Sequence, residues 1–143
     1  MVEIEDLIYL VRNRKYEEAL ELVHQLKGNL EKALALGAMA KEVFHIDETI
    51  AYSLLEDAEY FSEKIKNKKE KAIALANVAS VYFLIGNVDY GMALFEDALK
   101  ETEKIKNIYR KRRDLFVEGL RKLGWKVNMP PVSYTHLRAH ETR

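Results

Sequence analysis

The sequence predicts an all-α fold, a solenoid of antiparallel helical hairpins with about seven helices. The segment EKALALGAMAKEVFHI at 31–46 returns as EKAIALANVASVYFLI at 70–85, and EKIKN stands at both 63–67 and 103–107. Residues 31–67 match residues 70–107 at 17 positions, and internal repeats with periods of roughly 20–50 residues are typical of solenoids. Apolar residues recur at helical spacing within each copy, and Gly, Asn or Asp follows where a helix should end or begin.

The composition narrows the class of protein. The chain has 143 residues, which suits one domain, and its 23 basic side chains balance 23 acidic ones, so no overall field attracts nucleic acid or an anionic membrane. No cysteine is present, which excludes disulfides, thiolate zinc sites and a cysteine nucleophile. No apolar run approaches the roughly 18 residues of a membrane span. We therefore expect a cytoplasmic protein, and the many Lys and Glu residues suit a thermophile.

The hairpins are predicted in chain order at about 2–28, 29–67 and 68–107. The first two carry apolar positions at helical spacing, with Asp47 as a helix cap between the two helices of the second. In the third, Asn67 caps the first helix and Gly86-Asn87 ends it. The apolar positions are Ile4, Leu7, Ile8, Val11, Ala19, Val23 and Leu26, then Leu36, Met39, Ala40, Val43, Ala51, Leu55 and Ala58, then Leu75, Val78, Ala79, Tyr82, Gly91, Leu94, Phe95 and Ala98.

A seventh helix is predicted at 108–123, because Asn107 repeats the boundary residue Asn67. Leu115 and Gly119 then occupy the positions held by Leu75 and Ala79. The domain spans 1–127, and Pro130-Pro131 begins an irregular tail at 128–143. The segment SYTHLRAHETR at 133–143 resembles a translated cloning adaptor, so we interpret it as non-native. Either the natural chain continues past about Val132 and completes a fourth hairpin, or the last helix is a terminal cap.

The third unit resembles a tetratricopeptide repeat, whose two helices carry large and small residues in a fixed order. Leu75, Val78, Ala79, Tyr82, Gly91, Phe95 and Ala98 occupy those positions. The chain departs from the pattern in its period of 39–40 residues, in Leu75 where Trp is common and in Glu103 where Pro is common. The resemblance covers about residues 2–124 and identifies the long-repeat variety of the family. It implies a right-handed solenoid that acts as a protein-interaction scaffold.

The resemblance also implies a concave groove lined by the first helix of each hairpin, in which a peptide or a partner helix binds. Carried over residue by residue, the groove positions are Glu5, Tyr9, Arg12, Leu34, Lys41, His45, Ile73, Asn77, Ser80, Leu84, Arg113, Phe116 and Leu120. Some of the apolar members can equally be core between neighbouring hairpins. Only Arg12, Lys41, Asn77 and Arg113 suit a carboxylate ligand, so an apolar or amphipathic segment is the expected partner.

Other functions have weaker support in the sequence. A homodimer that binds no peptide and pairs through Leu7–Val11 or the last helix is the alternative to a groove binder. The basic segment 104–113 suits RNA phosphates, but the acidic residues on either side favour a salt-bridged surface. His24 and His45 lack further ligands at metal spacing, and His136 and His140 fall in the adaptor-like tail. No catalytic motif is present, so we expect neither enzyme activity nor a cofactor.

Overall fold

The computed structural model describes residues 2–124, which form six α-helices and no strand. The predicted all-α class is therefore confirmed for this part of the chain. The helices are α1 (Ile4–Arg12), α2 (Tyr16–His24), α3 (Asn29–Val43), α4 (Glu48–Glu63), α5 (Lys68–Leu84) and α6 (Val88–Lys122). The predicted tail at 128–143, with its adaptor-like segment, lies outside the described residues.

The helix boundaries depend on residues that were predicted from the sequence to begin or end helices. The side chain of Asp47 accepts a hydrogen bond from the Ile50 amide at 3.3 Å, and that of Asn67 accepts one from the Glu70 amide at 3.0 Å. Each bond satisfies an amide that has no partner within its helix. Gly86 follows the end of α5 with φ +94°, a conformation that glycine adopts without steric cost. These three predicted boundaries are confirmed.

The core lies between helices that are close in sequence. α1 packs against α2 and α3, α3 packs against α4 and α5, and α4 packs against α5. Most of the predicted apolar positions are buried in this core. Ile4 and Phe95 are exceptions, with 49% and 39% of their surface exposed, and Ile8 and Leu26 are half-buried.

A small residue allows α6 to approach α5 closely. A Cβ atom on Gly91 would lie 3.1 Å from the Ala79 carbonyl oxygen and 3.2 Å from the ring of Phe83. The buried Ala51 holds the corresponding position in the preceding hairpin. The closeness of the two backbones therefore explains why this position of the repeat carries a small side chain.

The predicted boundary at Asn107 is wrong, because α6 is one helix from Val88 to Lys122. The described chain consequently has six helices rather than about seven. The residues that follow the two EKIKN copies explain the difference. Glu70 is the third residue after Asn67, and an acidic residue in the first turn stabilises a helix start. Arg110 holds that position after Asn107, where a positive charge would be unfavourable.

The composition of residues 114–122 opposes a separate packed helix as well. α5 buries six residues, which are Ala74, Leu75, Val78, Ala79, Val81 and Tyr82. Forty positions later stand Asp114, Leu115, Glu118, Gly119, Arg121 and Lys122. Four of those six are charged, and charged side chains are seldom fully buried without partners. This segment therefore cannot replace α5 in a further hairpin of the same kind.

The chain divides into two compact units, residues 1–105 and residues 106–143. In the described part of the second unit, Val117 is buried, whereas Leu115 is 69% exposed and Gly119 is also exposed. The prediction that Leu115 and Gly119 repeat the packing of Leu75 and Ala79 is thus wrong. Ion pairs join Arg113 to Asp114 at 3.6 Å and Lys122 to Glu118 at 3.7 Å within this unit.

Candidate functional site

The candidate residues of α1 lie on one exposed side of that helix. Glu5, Tyr9 and Arg12 are spaced at i, i+4 and i+7, and all three are exposed. The Arg12 guanidinium forms a hydrogen-bonded ion pair with Glu42 of α3. Arg12 therefore connects the two helices, and its charge is already balanced by a carboxylate. Tyr9 remains the main apolar group that α1 offers to a partner.

The candidates of the second hairpin have three different surroundings. Leu34 is half-buried and lines an apolar cleft of about 220 Å³ beside Ile4 and Leu7 of α1. Lys41 is exposed near the end of α3. His45 lies in the turn after that helix, where its ring packs edge-on against Phe44 with 5.6 Å between centroids. Leu34 thus belongs partly to the packing between α1 and α3, and Lys41 remains accessible.

The candidates of α5 are two exposed apolar residues with two polar residues between them. Ile73 and Leu84 are 45% and 64% exposed. Asn77 is half-buried against α3, because its Oδ1 atom would lie 2.9 Å from a Cβ on Gly37. The Ser80 hydroxyl donates to the Asn77 carbonyl oxygen at 2.6 Å. Asn77 and Ser80 therefore serve local packing, and Ile73 and Leu84 are free to contact a partner.

The ten candidates of the first unit offer apolar contact rather than an anion site. α1 contacts α3 and α3 contacts α5, so their exposed residues occupy successive neighbouring helices. Tyr9, Ile73 and Leu84 are the large apolar groups among them. Of the predicted carboxylate-binding groups in this unit, Arg12 is paired and Asn77 packs against α3. Recognition of a terminal carboxylate would therefore depend on Lys41 alone.

The remaining candidates, Arg113, Phe116 and Leu120, lie in the second unit. They belong to α6 rather than to the separate helix predicted from residue 108. Phe116 is exposed, Leu120 is half-buried, and Arg113 pairs with Asp114. They are therefore described apart from the ten candidates of the first unit.

One buried charge cluster fixes α6 to the start of α5. Glu101 is 5% exposed, and its carboxylate lies 3.5 Å from Lys71, 3.8 Å from Lys68 and 3.2 Å from Lys104. Burial alone would raise the pKa of Glu101, but the hydrogen bond from Lys104 and the three positive charges together lower it. Burial likewise opposes the charge on Lys71, yet Glu63 and Glu101 raise its pKa. The cluster is a structural contact between helices.

A second polar cluster joins α4, α5 and α6. The hydroxyls of Tyr82 and Tyr90 both donate to the carboxylate of Glu59, and their rings meet edge-to-face at 4.6 Å. Burial, followed by the nearby Glu59 charge, raises the pKa of Tyr82. Burial and the hydrogen bond to Glu59 raise the pKa of Tyr90 to about 12. Both tyrosines therefore stay protonated at neutral pH, and their hydrogen bonds to Glu59 hold α5 and α6 to α4.

The described residues contain no cluster suited to a metal ion. Within residues 2–124, no three His, Asp or Glu side chains lie close enough together to hold one. His24 packs near Phe61 with 6.4 Å between ring centroids, and His45 packs on Phe44. His136 and His140 lie outside the described residues.

The basic segment 104–113 has acidic partners at both ends. Lys104 contacts Glu101 in the first unit, and Arg113 contacts Asp114 in the second. Ion pairs of this kind reduce the positive charge that a phosphate backbone would meet.

A row of exposed apolar residues on α6 was not predicted from the sequence. Val88, Met92, Phe95 and Leu99 are each between 39% and 56% exposed. A signal for them was present in the sequence, since they follow one another at alternating steps of four and three residues. We call these four residues the α6 stripe.

No helix within residues 2–124 combines the length and the apolar character that crossing a bilayer requires. Comparison with known proteins found no matching family model, no matching curated protein and no matching solved structure.

Proposed function

We propose that the chain is a protein-interaction module similar to a tetratricopeptide array. In this proposal the hairpins stack as a right-handed solenoid, and exposed residues of α1, α3 and α5 bind an apolar or amphipathic segment of a cytoplasmic partner. The succession of contacts from α1 to α3 to α5 supports the stacking. No catalytic step is included, because the buried polar groups described above have structural partners.

The observation that carries the proposal is the exposure of Tyr9, Ile73 and Leu84 on helices that are otherwise well packed. Large apolar side chains at a protein surface lower the free energy of binding when a partner removes them from water. Helices already held by a packed core lose little conformational entropy on binding. A short apolar segment of a partner can therefore bind without first ordering this surface.

A peptide-array screen with the full chain tests the proposal. Leu84→Arg places a charge among the exposed residues of α1, α3 and α5, which we call the candidate surface. We expect this substitution to lower the affinity for each true ligand by roughly tenfold or more. Leu99→Arg is the matched control, because Leu99 is similarly exposed but lies on α6. Circular dichroism checks that both variants fold. Ligands that bind the Leu84→Arg variant as well as the parent would refute the proposed surface.

RNA binding through residues 104–113 is the less favoured alternative. An RNA ligand would lose affinity steeply as salt concentration rises, whereas an apolar peptide would be nearly insensitive to salt. Repeating the binding measurement at two salt concentrations separates the two cases.

A further inference from the structure

The α6 stripe lies next to the side of α6 that packs on α5. Ala79 and Phe83 of α5 meet Gly91, so that side of α6 already has its partner. Phe95 lies between the two sides, because its ring centroid is 6.0 Å from that of Phe83 and yet 39% of its surface is exposed. The other three members of the stripe are slightly more than half exposed. The stripe is therefore an apolar side of α6 that α5 does not cover.

The internal repeat shows what covers the same side of α4. The second half of the repeat has a shift of 40 residues, so Tyr52, Leu55 and Glu59 of α4 correspond to members of the stripe. Their counterparts in α6 are Met92, Phe95 and Leu99. The ring of Tyr52 lies 6.3 Å from that of Tyr82, and the Glu59 carboxylate accepts a hydrogen bond from the Tyr82 hydroxyl at 3.5 Å. This side of α4 is thus covered by α5, the first helix of the next hairpin.

The burial of equivalent residues differs only on the uncovered side. Leu54 of α4 and Leu94 of α6 are 3% and 4% exposed, so both helices pack alike within their own hairpins. Leu55 is fully buried, whereas its counterpart Phe95 is not. Residues 114–122 lack the apolar face of α5, as described above, so they do not provide a covering helix of the same kind. A helix from another molecule is the cover that fits this side of α6.

An acidic row borders the stripe on the side opposite to the one that packs on α5. Asp89 and Glu96 each follow a member of the stripe by one residue and are seven residues apart, so they lie on one side of α6. Both are exposed. Among residues 2–124 neither carboxylate has an ion-pair partner, and Lys100 pairs with Asp97 instead. A covering helix would therefore meet negative charge along one of its edges.

The acidic row argues against a second copy of the chain as the cover. An antiparallel pair of stripes would bring Asp89 of one chain beside Glu96 of the other, and like charges across an interface are unfavourable. A parallel pair would place the acidic row against the side of α6 that α5 already occupies. A helix with basic residues beside its apolar side has neither difficulty.

We propose that the α6 stripe binds an amphipathic helix of a partner protein. The apolar side of that helix covers the stripe, and its Lys or Arg residues lie against Asp89 and Glu96. The partner helix takes the place on α6 that α5 takes on α4. This is a second binding surface, on a different helix from those of the candidate surface, and it requires no peptide to be bound there.

Two synthetic helices of about 18 residues test the proposal by fluorescence anisotropy with the full chain. Both carry leucine at alternating steps of three and four residues. One has lysine at the positions that flank the leucines, and the other has glutamate at the same positions. We expect the lysine helix to bind at least roughly tenfold more tightly than the glutamate helix. Equal affinities, or no binding of the lysine helix at about 1 mM, would overturn the proposal.

Substitutions in the chain show whether the lysine helix occupies the stripe. Leu99→Arg should raise its dissociation constant at least roughly tenfold, whereas Leu84→Arg on α5 should leave it unchanged. Circular dichroism checks that both variants fold. A loss of affinity in Leu84→Arg alone would overturn the proposal, because the lysine helix would then occupy the candidate surface. Failure of the peptide screen, with the lysine helix still bound to the stripe, would refute only the candidate surface.

Charge reversal tests the role of the acidic row. Glu96→Lys should change the ratio of the two dissociation constants roughly tenfold in favour of the glutamate helix. Glu21→Lys is the matched control, because Glu21 is also exposed but lies on α2, and it should leave the ratio unchanged. A ratio does not depend on the fraction of folded protein, so partial unfolding cannot imitate this result. An unchanged ratio in Glu96→Lys would overturn the proposal.

Sedimentation equilibrium of the full chain tests the other occupant of the stripe. We expect no association that depends on Leu99. A dimer that Leu99→Arg dissociates would place a second copy on the stripe and would overturn the proposal.

Discussion

Replacing Gly91 by alanine should destabilise the protein, although alanine is the better helix former. The helix preference alone favours alanine by about 1 kcal/mol. The new methyl group would lie 3.1 Å from the Ala79 carbonyl oxygen and 3.2 Å from the Phe83 ring. A backbone carbonyl cannot rotate away, so α5 and α6 must separate slightly, and overpacking of this kind costs about 1–3 kcal/mol. The expected net loss is about 1 kcal/mol.

Gly37→Ala is the matched control, because its new methyl group meets a movable neighbour. The nearest atoms would be Asn77 Oδ1 at 2.9 Å and Val81 Cγ2 at 3.8 Å. The Asn77 amide is the end of a half-buried side chain that can rotate away, so most of the helix preference should survive. We expect this variant to be unchanged or more stable by up to about 1 kcal/mol.

Urea unfolding followed by far-ultraviolet circular dichroism measures both variants. The two free energies of unfolding should differ by about 1–2 kcal/mol, with Gly37→Ala the more stable. Equal effects of the two substitutions would refute the reasoning, since it would mean that the contact with the α5 backbone does not limit the packing.

Three further outcomes are expected. Asn67→Ala should lower the free energy of unfolding by about 1 kcal/mol through loss of the cap, whereas Asn107→Ala, inside α6, should not lower it; equal losses would contradict a continuous α6. Glu101→Gln should cost roughly 1.5–3 kcal/mol at neutral pH by removing a charged hydrogen-bond acceptor. Folding lowers the pKa of Glu101, so its carboxylate stabilises the folded state above the ordinary value of 4.5, and this stabilisation is lost as pH falls through the folded pKa. The free energy of unfolding of the parent should therefore fall more steeply in acid than that of Glu101→Gln. Parallel plots of the free energy of unfolding against pH would contradict this. Tyr90 should ionise near pH 12 in an ultraviolet titration, and Glu59→Gln should bring its pKa part of the way back toward 10, because burial remains; an unchanged titration would show that Glu59 has no influence.

Much of the fold follows from local sequence signals. Asp47 and Asn67 begin helices by accepting a hydrogen bond from the amide three residues ahead, and Gly86 ends one by adopting a positive φ. These effects need no knowledge of distant residues. Asn107 shows the limit of this approach. Its five-residue context is identical to that of Asn67, yet the helix continues, because the residues after it lack both the acidic first turn and the apolar face of α5.

The candidate surface was less predictable than the fold. Helical spacing places Tyr9 and Leu84 on an exposed side, but it does not reveal that Arg12 pairs with Glu42 or that Asn77 packs beside Gly37. Those contacts join residues 30 and 40 positions apart, and no local pattern encodes them. The α6 stripe was detectable from its spacing, which alternates between four and three residues.

The central place of α3 has a consequence for hydrogen exchange. α3 contacts α1, α2, α4 and α5, whereas α1 contacts only α2 and α3 among these five helices. Opening α1 and α2 would expose one side of α3 and leave α4 and α5 in place. Among these five helices, amide protons should therefore exchange slowest in α3 and fastest in α1 and α2, which are only nine residues long each and can open without disturbing α4 and α5. These five helices would then lose their structure in stages, beginning with α1 and α2, rather than all at once.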